Sequence, residues 1–171
     1  RFRNVTGVQT CALPICSLEP LIRGERTSVR DWLLTGVWGR EVQLVTDDWR
    51  YTRGPAGANA PHSMWSNRWS TMPVASRPDV RLPLPDSRAS LDYMPGSTVP
   101  VIRQPFREGD LLPFWAYASQ YETIMFHRGE DPDETVNRIG DSPAHDAEEL
   151  LRAALVSVAA PSEQFVRLGL A

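Results

Sequence analysis

Hydrophobic and polar residues follow regular patterns in two parts of the chain, 31–53 and 121–168. The first part contains three runs rich in aromatic and β-branched residues, which predict strands over 31–38, 42–46 and 49–53. The last two runs flank the pair Asp47-Asp48, which is typical of the turn of an antiparallel hairpin. In the second part, the run 121–127 predicts one more strand.

Apolar residues recur at helical spacing near the end of the sequence, which predicts a helix over 142–160. Asp141 or Ser142 caps its start, and Pro161 follows its end. Shorter helices are expected after Ser17, stopping at Gly24, and over 162–168. The apolar face of the long helix consists of Ala147, Leu150, Leu151, Ala154, Leu155 and Val158.

The segment 54–113 shows neither the two-residue period of a strand nor the period of about 3.6 residues of a helix. It contains ten of the 15 prolines, so we expect it to form a long irregular insertion that covers the fold. The expected fold class is α+β. A small antiparallel sheet of three or four strands packs on the C-terminal helix at 142–160, and the Pro-rich insertion interrupts the sheet.

Residues 1–16 contain a segment that resembles a translated sequencing adapter and not a native protein segment. The eleven residues Val5 to Ile15 correspond one for one to an in-frame translation of a common sequencing-library adapter. We therefore expect 1–16 to be adapter-derived and the native chain to occupy 17–171, with coding sequence lost upstream. Because Cys11 and Cys16 both fall in this segment, cysteine usage says nothing about the redox compartment.

Composition excludes several classes of protein. Hydrophobic residues make up 42% and charged residues 23%, which is typical of globular proteins and not of disordered ones. The net charge of −3 argues against nucleic acid as a partner. The sequence contains no apolar run long enough to predict a membrane-spanning helix.

Four features, taken in order, resemble the C-terminal end of the type I sulfatases of the alkaline phosphatase superfamily. The resemblance covers about 17–53 and 121–171. Two departures are Met-Phe-His-Arg at 125–128 in place of Leu-Tyr-Asp-Leu, and Arg138 where the family usually has Leu. The four features are Ser17-Leu-x-Pro-Leu-Ile-x-Gly24, the run Trp32 to Trp38, Thr46-Asp-x-Trp-Arg-Tyr51 and Phe126-x-x-x-x-Asp-Pro-x-Glu-x-x-Asn137.

The resemblance implies a sulfuric ester hydrolase whose catalytic centre is absent from these residues. In that family a formylglycine, made within a C-x-P-x-R motif, and a calcium ion carry out sulfate ester cleavage, and both lie upstream. Cys11-Ala-Leu-Pro-Ile15 does not match that motif. The resemblance therefore implies an inactive fragment with no cofactor of its own, whose partner is the missing upstream catalytic domain. It leaves open whether the bacterial parent is cytoplasmic or exported.

His62, Trp65, Arg68 and Trp69 are the candidate substrate contacts. Arginine and tryptophan side chains suit a sulfated sugar or small molecule through charge-assisted hydrogen bonds and ring stacking. The structural alternative is that the tryptophans anchor the insertion and Arg68 faces water. His127 and His145 are expected at the surface. Asp131, Pro132 and Glu134 fit a turn that leads into a helix, where carboxylates near the first free N–H groups are favourable, and Asn137 is expected to bond local backbone.

Two other functions remain open at this point. The chain could be the C-terminal part of a related phosphodiesterase or phosphonate hydrolase, which the upstream nucleophile motif would decide. It could also be a non-enzymatic sugar-binding or structural module. If it is a fragment, it exposes the face meant for the missing domain, so we expect marginal stability and aggregation.

Overall fold

The computed structural model describes residues 17–28, 30–67, 89–94, 96–110, 112, 116 and 122–171. Within them the fold is α+β with two antiparallel sheets, which confirms the predicted fold class. The elements are α1 (Glu19–Ile22), β1 (Leu33–Gly36), β2 (Val42–Val45), β3 (Trp49–Arg53), β4 (His62–Ser66), β5 (Ser90–Tyr93), β6 (Pro100–Phe106), β7 (Ile124–His127), α2 (Pro143–Ser157) and α3 (Ser162–Arg167).

The first sheet has the strand order β1-β2-β3-β7 and is antiparallel throughout. Its predicted hairpin is confirmed: Thr46 Oγ1 accepts a hydrogen bond from Trp49 N at 3.0 Å, which closes the turn between β2 and β3. β3 then pairs with β7, although the whole of 54–123 separates them in the sequence. The sheet therefore joins the two patterned parts of the chain.

α2 packs across one face of the first sheet, as the helical spacing predicted. Leu44, Tyr51 and Met125 from three strands are each at most 1% exposed. Burying each such side chain contributes about 1.5–3 kcal/mol. The helix supplies Ala147, Leu151, Ala154 and Leu155 to this core, while Leu150 and Val158 are half-buried.

The end of the chain closes the same core. Leu168 and Leu170, which follow α3, are both completely buried. Arg53 holds this turn because its Nε donates to Leu168 O at 2.8 Å and its Nη2 to Gly169 O at 3.2 Å. Gly169 has φ +64°, a backbone conformation that favours glycine.

The segment 54–113 differs from the expected irregular insertion. Its described residues form a second antiparallel sheet with the strand order β4-β6-β5. The sequence did not predict this sheet, because β6 begins at Pro100 and also contains Pro105, and these prolines interrupt the strand pattern. The partner strand β4 lies far from β6 in the sequence, so local periodicity carries no signal of the pairing.

α1 has no buried residue. The N-cap is Leu18 and not Ser17 as predicted, although Ser17 Oγ accepts a hydrogen bond from Glu19 N at 3.2 Å. Gly24 follows the helix with φ +70°, as predicted for its C-terminal stop. Leu18 and Ile22 are 56% and 84% exposed.

Candidate functional site

The structure places two of the four predicted contact residues on β4. His62 and Trp65 are three positions apart on this strand, so their side chains point to opposite faces of the second sheet. They do not contribute to one surface. Arg68 and Trp69 lie outside the described residues, so substrate contact by them stays a prediction.

Trp65 lies beside an arginine that sequence analysis did not select. The guanidinium carbon of Arg103 is 5.5 Å from the centroid of the Trp65 ring, within cation–π range. Arg103 lies directly opposite Trp65, because β6 pairs with β4 in that register. Only a prediction of the β4–β6 pairing could have identified Arg103 from the sequence.

Arg103 is held on three sides. Its Nε donates to Ser63 Oγ at 2.8 Å, its Nη2 lies 3.2 Å from Glu163 Oε2, and its Nη1 lies 3.6 Å from Asp92 Oδ2. Ser63 Oγ also donates to Glu163 Oε2 at 2.9 Å. We refer to these five residues, Ser63, Trp65, Asp92, Arg103 and Glu163, as the Trp65 cluster.

The charges of the Trp65 cluster favour a neutral ligand over an anionic one. It contains one guanidinium and two carboxylates, and both carboxylates contact the guanidinium. A sulfate placed here would meet these carboxylates and compete with them for Arg103. A half-buried indole ring beside carboxylate oxygens is instead suited to a sugar ring, which stacks on the indole and donates its hydroxyls.

His62, on the other face of β4, is only 1% exposed and is closed off from solvent. The Trp38 ring lies 5.0 Å from it, centroid to centroid, and Trp38 Nε1 donates to Ser63 O at 2.8 Å. Neither imidazole nitrogen makes a hydrogen bond within the described structure. Burial, and after it the charge of Arg167, lower the pKa of His62 to about 4, and the nearby Asn59 backbone partly opposes this shift.

Arg167, at the end of α3, is also buried, with 2% of its surface exposed. Its Nη1 donates to Arg40 O at 2.7 Å and to Asn59 Oδ1 at 3.0 Å, and its Nη2 donates to Gln164 Oε1 at 2.8 Å. Burial lowers its pKa to about 10, which the charge of Glu41 opposes, so it is still a cation at neutral pH. Arg167 is therefore a buried cation and not part of the solvated surface.

Among the residues that carry the sulfatase resemblance, Asn137 bonds local backbone as expected, whereas the helix start predicted at Asp131 to Glu134 is wrong, because the next helix begins at Pro143. Asn137 Oδ1 accepts hydrogen bonds from Met125 N at 3.0 Å and from Ile139 N at 3.1 Å. Asp131 accepts from the backbone N–H groups of Thr135 and Val136, and these bonds lower its pKa. These side chains fix the turn between β7 and α2.

Glu134, His127 and His145, which the sequence also singled out, lie apart from the Trp65 cluster and from one another's contacts among the described residues. Glu134 forms an ion pair with Arg50 on β3. His127 is half-buried, with its ring edge-on to Trp49 at 4.6 Å, so the expectation that it lies at the surface is only partly met. His145 is exposed and 3.5 Å from Glu149.

A shallow groove of about 170 Å³ lies between the β2–β3 hairpin and the start of α2. Most of its lining is apolar, and Thr46, Tyr51 and Asp146 supply its polar groups. The residues that line its floor are Leu44, Trp49, Tyr51, Pro143, Ala147 and Leu150.

The described residues do not fit the calcium ion and formylglycine that the resemblance implies for a parent enzyme. No group of three or more His, Cys, Asp or Glu side chains among them could hold a metal ion. Within the same residues, no helix is long and apolar enough to cross a membrane. Comparison with protein-family models, curated proteins and solved structures finds no match to this chain.

Proposed function

We propose that residues 17–171 are the C-terminal subdomain of a sulfatase of the alkaline phosphatase superfamily. In this proposal the subdomain carries no catalytic group. It docks on a catalytic domain encoded upstream and supports the side of the active site that receives the substrate. The formylglycine and the calcium ion belong to that upstream domain.

The observation that carries the proposal is the pairing of β3 with β7. The sulfatase-like motif residues fall in two segments, Thr46 to Tyr51 and Phe126 to Asn137, separated by a long insertion. The pairing brings both segments into one small sheet, with Arg50 opposite Phe126 and Tyr51 opposite Met125. The insertion therefore interrupts the sequence between neighbouring strands, which is the relation that the ordered resemblance requires.

Exposed apolar side chains near the start of the described residues also support the proposal. Leu18, Ile22, Leu33 and Val37 are between 39% and 84% exposed. They belong to α1, β1 and the residue after β1, in the segments that resemble the close of the large sulfatase domain. Exposed apolar side chains in these segments are what the proposal expects of a surface that docks on another domain.

A non-enzymatic sugar-binding module is the second candidate, and the Trp65 cluster is the observation that favours it. This cluster presents an aromatic ring and hydrogen-bonding carboxylates without net positive charge. Such a site needs no upstream catalytic residues. It predicts that the 171-residue chain binds a neutral oligosaccharide by itself.

Sequencing the source DNA upstream of the Ser17 codon is the first test. The proposal expects an open reading frame that contains C-x-P-x-R and clustered Asp residues. An open frame without them overturns the sulfatase proposal and favours the sugar-binding module. Genomic DNA that encodes residues 5–15 as they stand shows that this segment is not adapter-derived, and its cysteines then need a function.

The second test measures docking and hydrolysis with the upstream domain in hand. We expect the restored enzyme to hydrolyse aryl sulfates faster than phosphodiesters or phosphonates; the reverse order assigns it to the sister branch. Ile22→Asp should weaken association between the upstream domain and residues 17–171 expressed separately. Val156→Asp makes the same kind of change at an exposed apolar position on α2, and this control should leave the association unchanged. Equal effects of both variants contradict docking through α1.

A further inference from the structure

The two sheets meet around a closed pocket that contains two basic side chains and few polar partners. We refer to it as the junction pocket, formed by Trp38, Gly39, Asn59, His62 and Arg167. Trp38 and Gly39 follow β1, Asn59 precedes β4, and Arg167 ends α3. Asn59 Nδ2 donates to Gly39 O at 2.7 Å, so the pocket ties the loop after β1 to the loop before the second sheet.

Arg167 makes its hydrogen bonds in this pocket only to neutral oxygens. The acceptors are the Arg40 carbonyl and the side-chain amides of Asn59 and Gln164. These bonds satisfy N–H donors of the Arg167 guanidinium, but they do not neutralise its positive charge. A second positive charge in the same pocket would therefore be strongly unfavourable.

His62 is the residue that can supply this second charge. Its ring is 1% exposed, lies against Trp38, and makes no hydrogen bond within the described structure. The pocket therefore favours the neutral form of the imidazole. A protonated imidazole needs partners for two N–H groups, which water supplies once the pocket opens.

We propose that His62 and Arg167 form an acid-sensitive latch, which holds the second sheet to the first and opens when the imidazole takes up a proton. The proposal does not depend on the sulfatase assignment. The latch joins α3 and the loop after β1 to β4, so its opening loosens β4, which Glu163 of α3 still contacts through Ser63 and Arg103. α2 and the β2–β3 hairpin keep their own core, which contains no residue of the pocket.

The neighbouring charges do not compensate for a proton on His62. On the loop after β1, Glu41 pairs with Arg40 at 3.3 Å and also acts on Arg167, but it is not among the charges that act on His62. On β6, Phe106 lies opposite His62, and Arg103 points to the other face toward Glu163 of α3. Arg167 is the charged group that acts on the ring, and it opposes protonation.

The direction of the pH dependence follows from these contacts. In the closed pocket the pKa of His62 is about 4, whereas in the open, hydrated state it returns toward its ordinary value of 6.5. The open state therefore binds more protons between these two values, and lowering the pH through this range favours opening. Above this pH range the latch is closed, and the equilibrium between its closed and open states does not depend on pH.

Hydrogen exchange measured by mass spectrometry on the 171-residue chain tests the latch. After correction for intrinsic exchange rates, the opening constant of the peptide over β4 should rise about 10-fold or more between about pH 8 and about pH 5. The constant for the β2–β3 hairpin should change much less. If the hairpin and β4 open together at low pH, acid unfolds the whole chain and the latch does not exist.

Two variants separate His62 from other acid effects. His62→Phe keeps a ring in the pocket and cannot be protonated, so the opening constant of β4 should lose its pH dependence; His62→Gln serves if the phenylalanine variant does not fold. His145→Gln is the matched control, because it removes an exposed histidine from α2. A β4 peptide that keeps its full acid response without His62 overturns the proposal.

Discussion

Met125 on β7 lies directly opposite Tyr51 on β3, and both side chains are almost completely buried under α2. This pair joins two segments that are distant in the sequence. The Tyr51 hydroxyl is 3.3 Å from Glu148 Oε2 on α2, and Arg53 Nη1 donates to the same oxygen at 2.7 Å. Burial raises the pKa of Tyr51, so its hydroxyl stays neutral at physiological pH. The core thus connects both strands to the helix.

Met125→Ala should lower the free energy of unfolding by about 2–5 kcal/mol, because it leaves a cavity at a completely buried position. Urea denaturation followed by far-UV circular dichroism measures this. Val156→Ala truncates an exposed apolar residue of α2 and should change stability by less than about 0.5 kcal/mol. If Met125→Ala lost as little stability as Val156→Ala, Met125 would not be part of the core.

Asn137→Ala should cost about 1–2 kcal/mol, because Met125 N and Ile139 N lose their common acceptor. Asn137→Asp keeps an oxygen at the same position and should retain most of the stability. Thermal denaturation at neutral pH compares the two. A loss as large in the aspartate variant as in the alanine variant would mean that the two hydrogen bonds are not the source of the effect.

The sequence predicted the parts of the fold that depend on near neighbours. The hairpin could be predicted because Thr46 and Trp49 close it locally, and α2 because Leu151, Ala154 and Leu155 repeat at helical spacing. The second sheet could not, since β4 and β6 are distant in the sequence and Pro105 lies within the central strand. Proline removes a backbone donor, and only the surrounding pairing compensates for it.

The candidate sites depended even more on long-range contacts. Trp65 could be selected from its residue type, but Arg103 reaches it only through strand pairing. The sequence around Arg167 is that of an ordinary arginine near the end of a helix. Its burial depends on the loops that carry Arg40 and Asn59. Nothing local to His62 indicates that its ring lacks a hydrogen-bonding partner.

Gly169→Ala should destabilise the chain by about 1 kcal/mol or more, because φ is +64° and the new Cβ would lie 3.1 Å from Ala56 Cβ. Gly140→Ala is the matched control, since Gly140 has no positive φ and no atom within 4 Å of an added Cβ. Thermal unfolding of both variants measures the difference. Equal midpoints would show that the turn after α3 tolerates a side chain.

Arg167→Met should raise the pKa of His62, because it removes the positive charge that acts on the imidazole. The pKa should stay below its ordinary value of 6.5, since burial is the larger cause of the shift. Titration of the imidazole Cε1–H resonance by NMR measures this. Arg138→Met is the control, because Arg138 pairs with Asp141 between β7 and α2. An unchanged His62 pKa in Arg167→Met would show that the two side chains do not interact.

Trp65→Ala should abolish binding of a neutral oligosaccharide to the 171-residue chain, if the Trp65 cluster is a sugar site. Trp65→Phe keeps a smaller ring and should retain part of the affinity. Isothermal titration with matched neutral and sulfated oligosaccharides measures both, and the sulfated form should bind more weakly because Asp92 and Glu163 repel it. Adding salt should then narrow the gap between the two ligands, since screening weakens repulsion.

The same titration can contradict the neutral-ligand assignment. Glu163→Gln removes one carboxylate from Arg103 while keeping an acceptor for the Ser63 hydroxyl, so it should strengthen binding of the sulfated ligand relative to the neutral one. Tighter binding of the sulfated ligand by the unmodified chain would instead mean that Arg103 exchanges its carboxylate partners for sulfate. In that case the kcat/KM of the restored enzyme should fall about 10-fold in Trp65→Ala, and Arg68→Ala and Trp69→Ala become the next variants to measure.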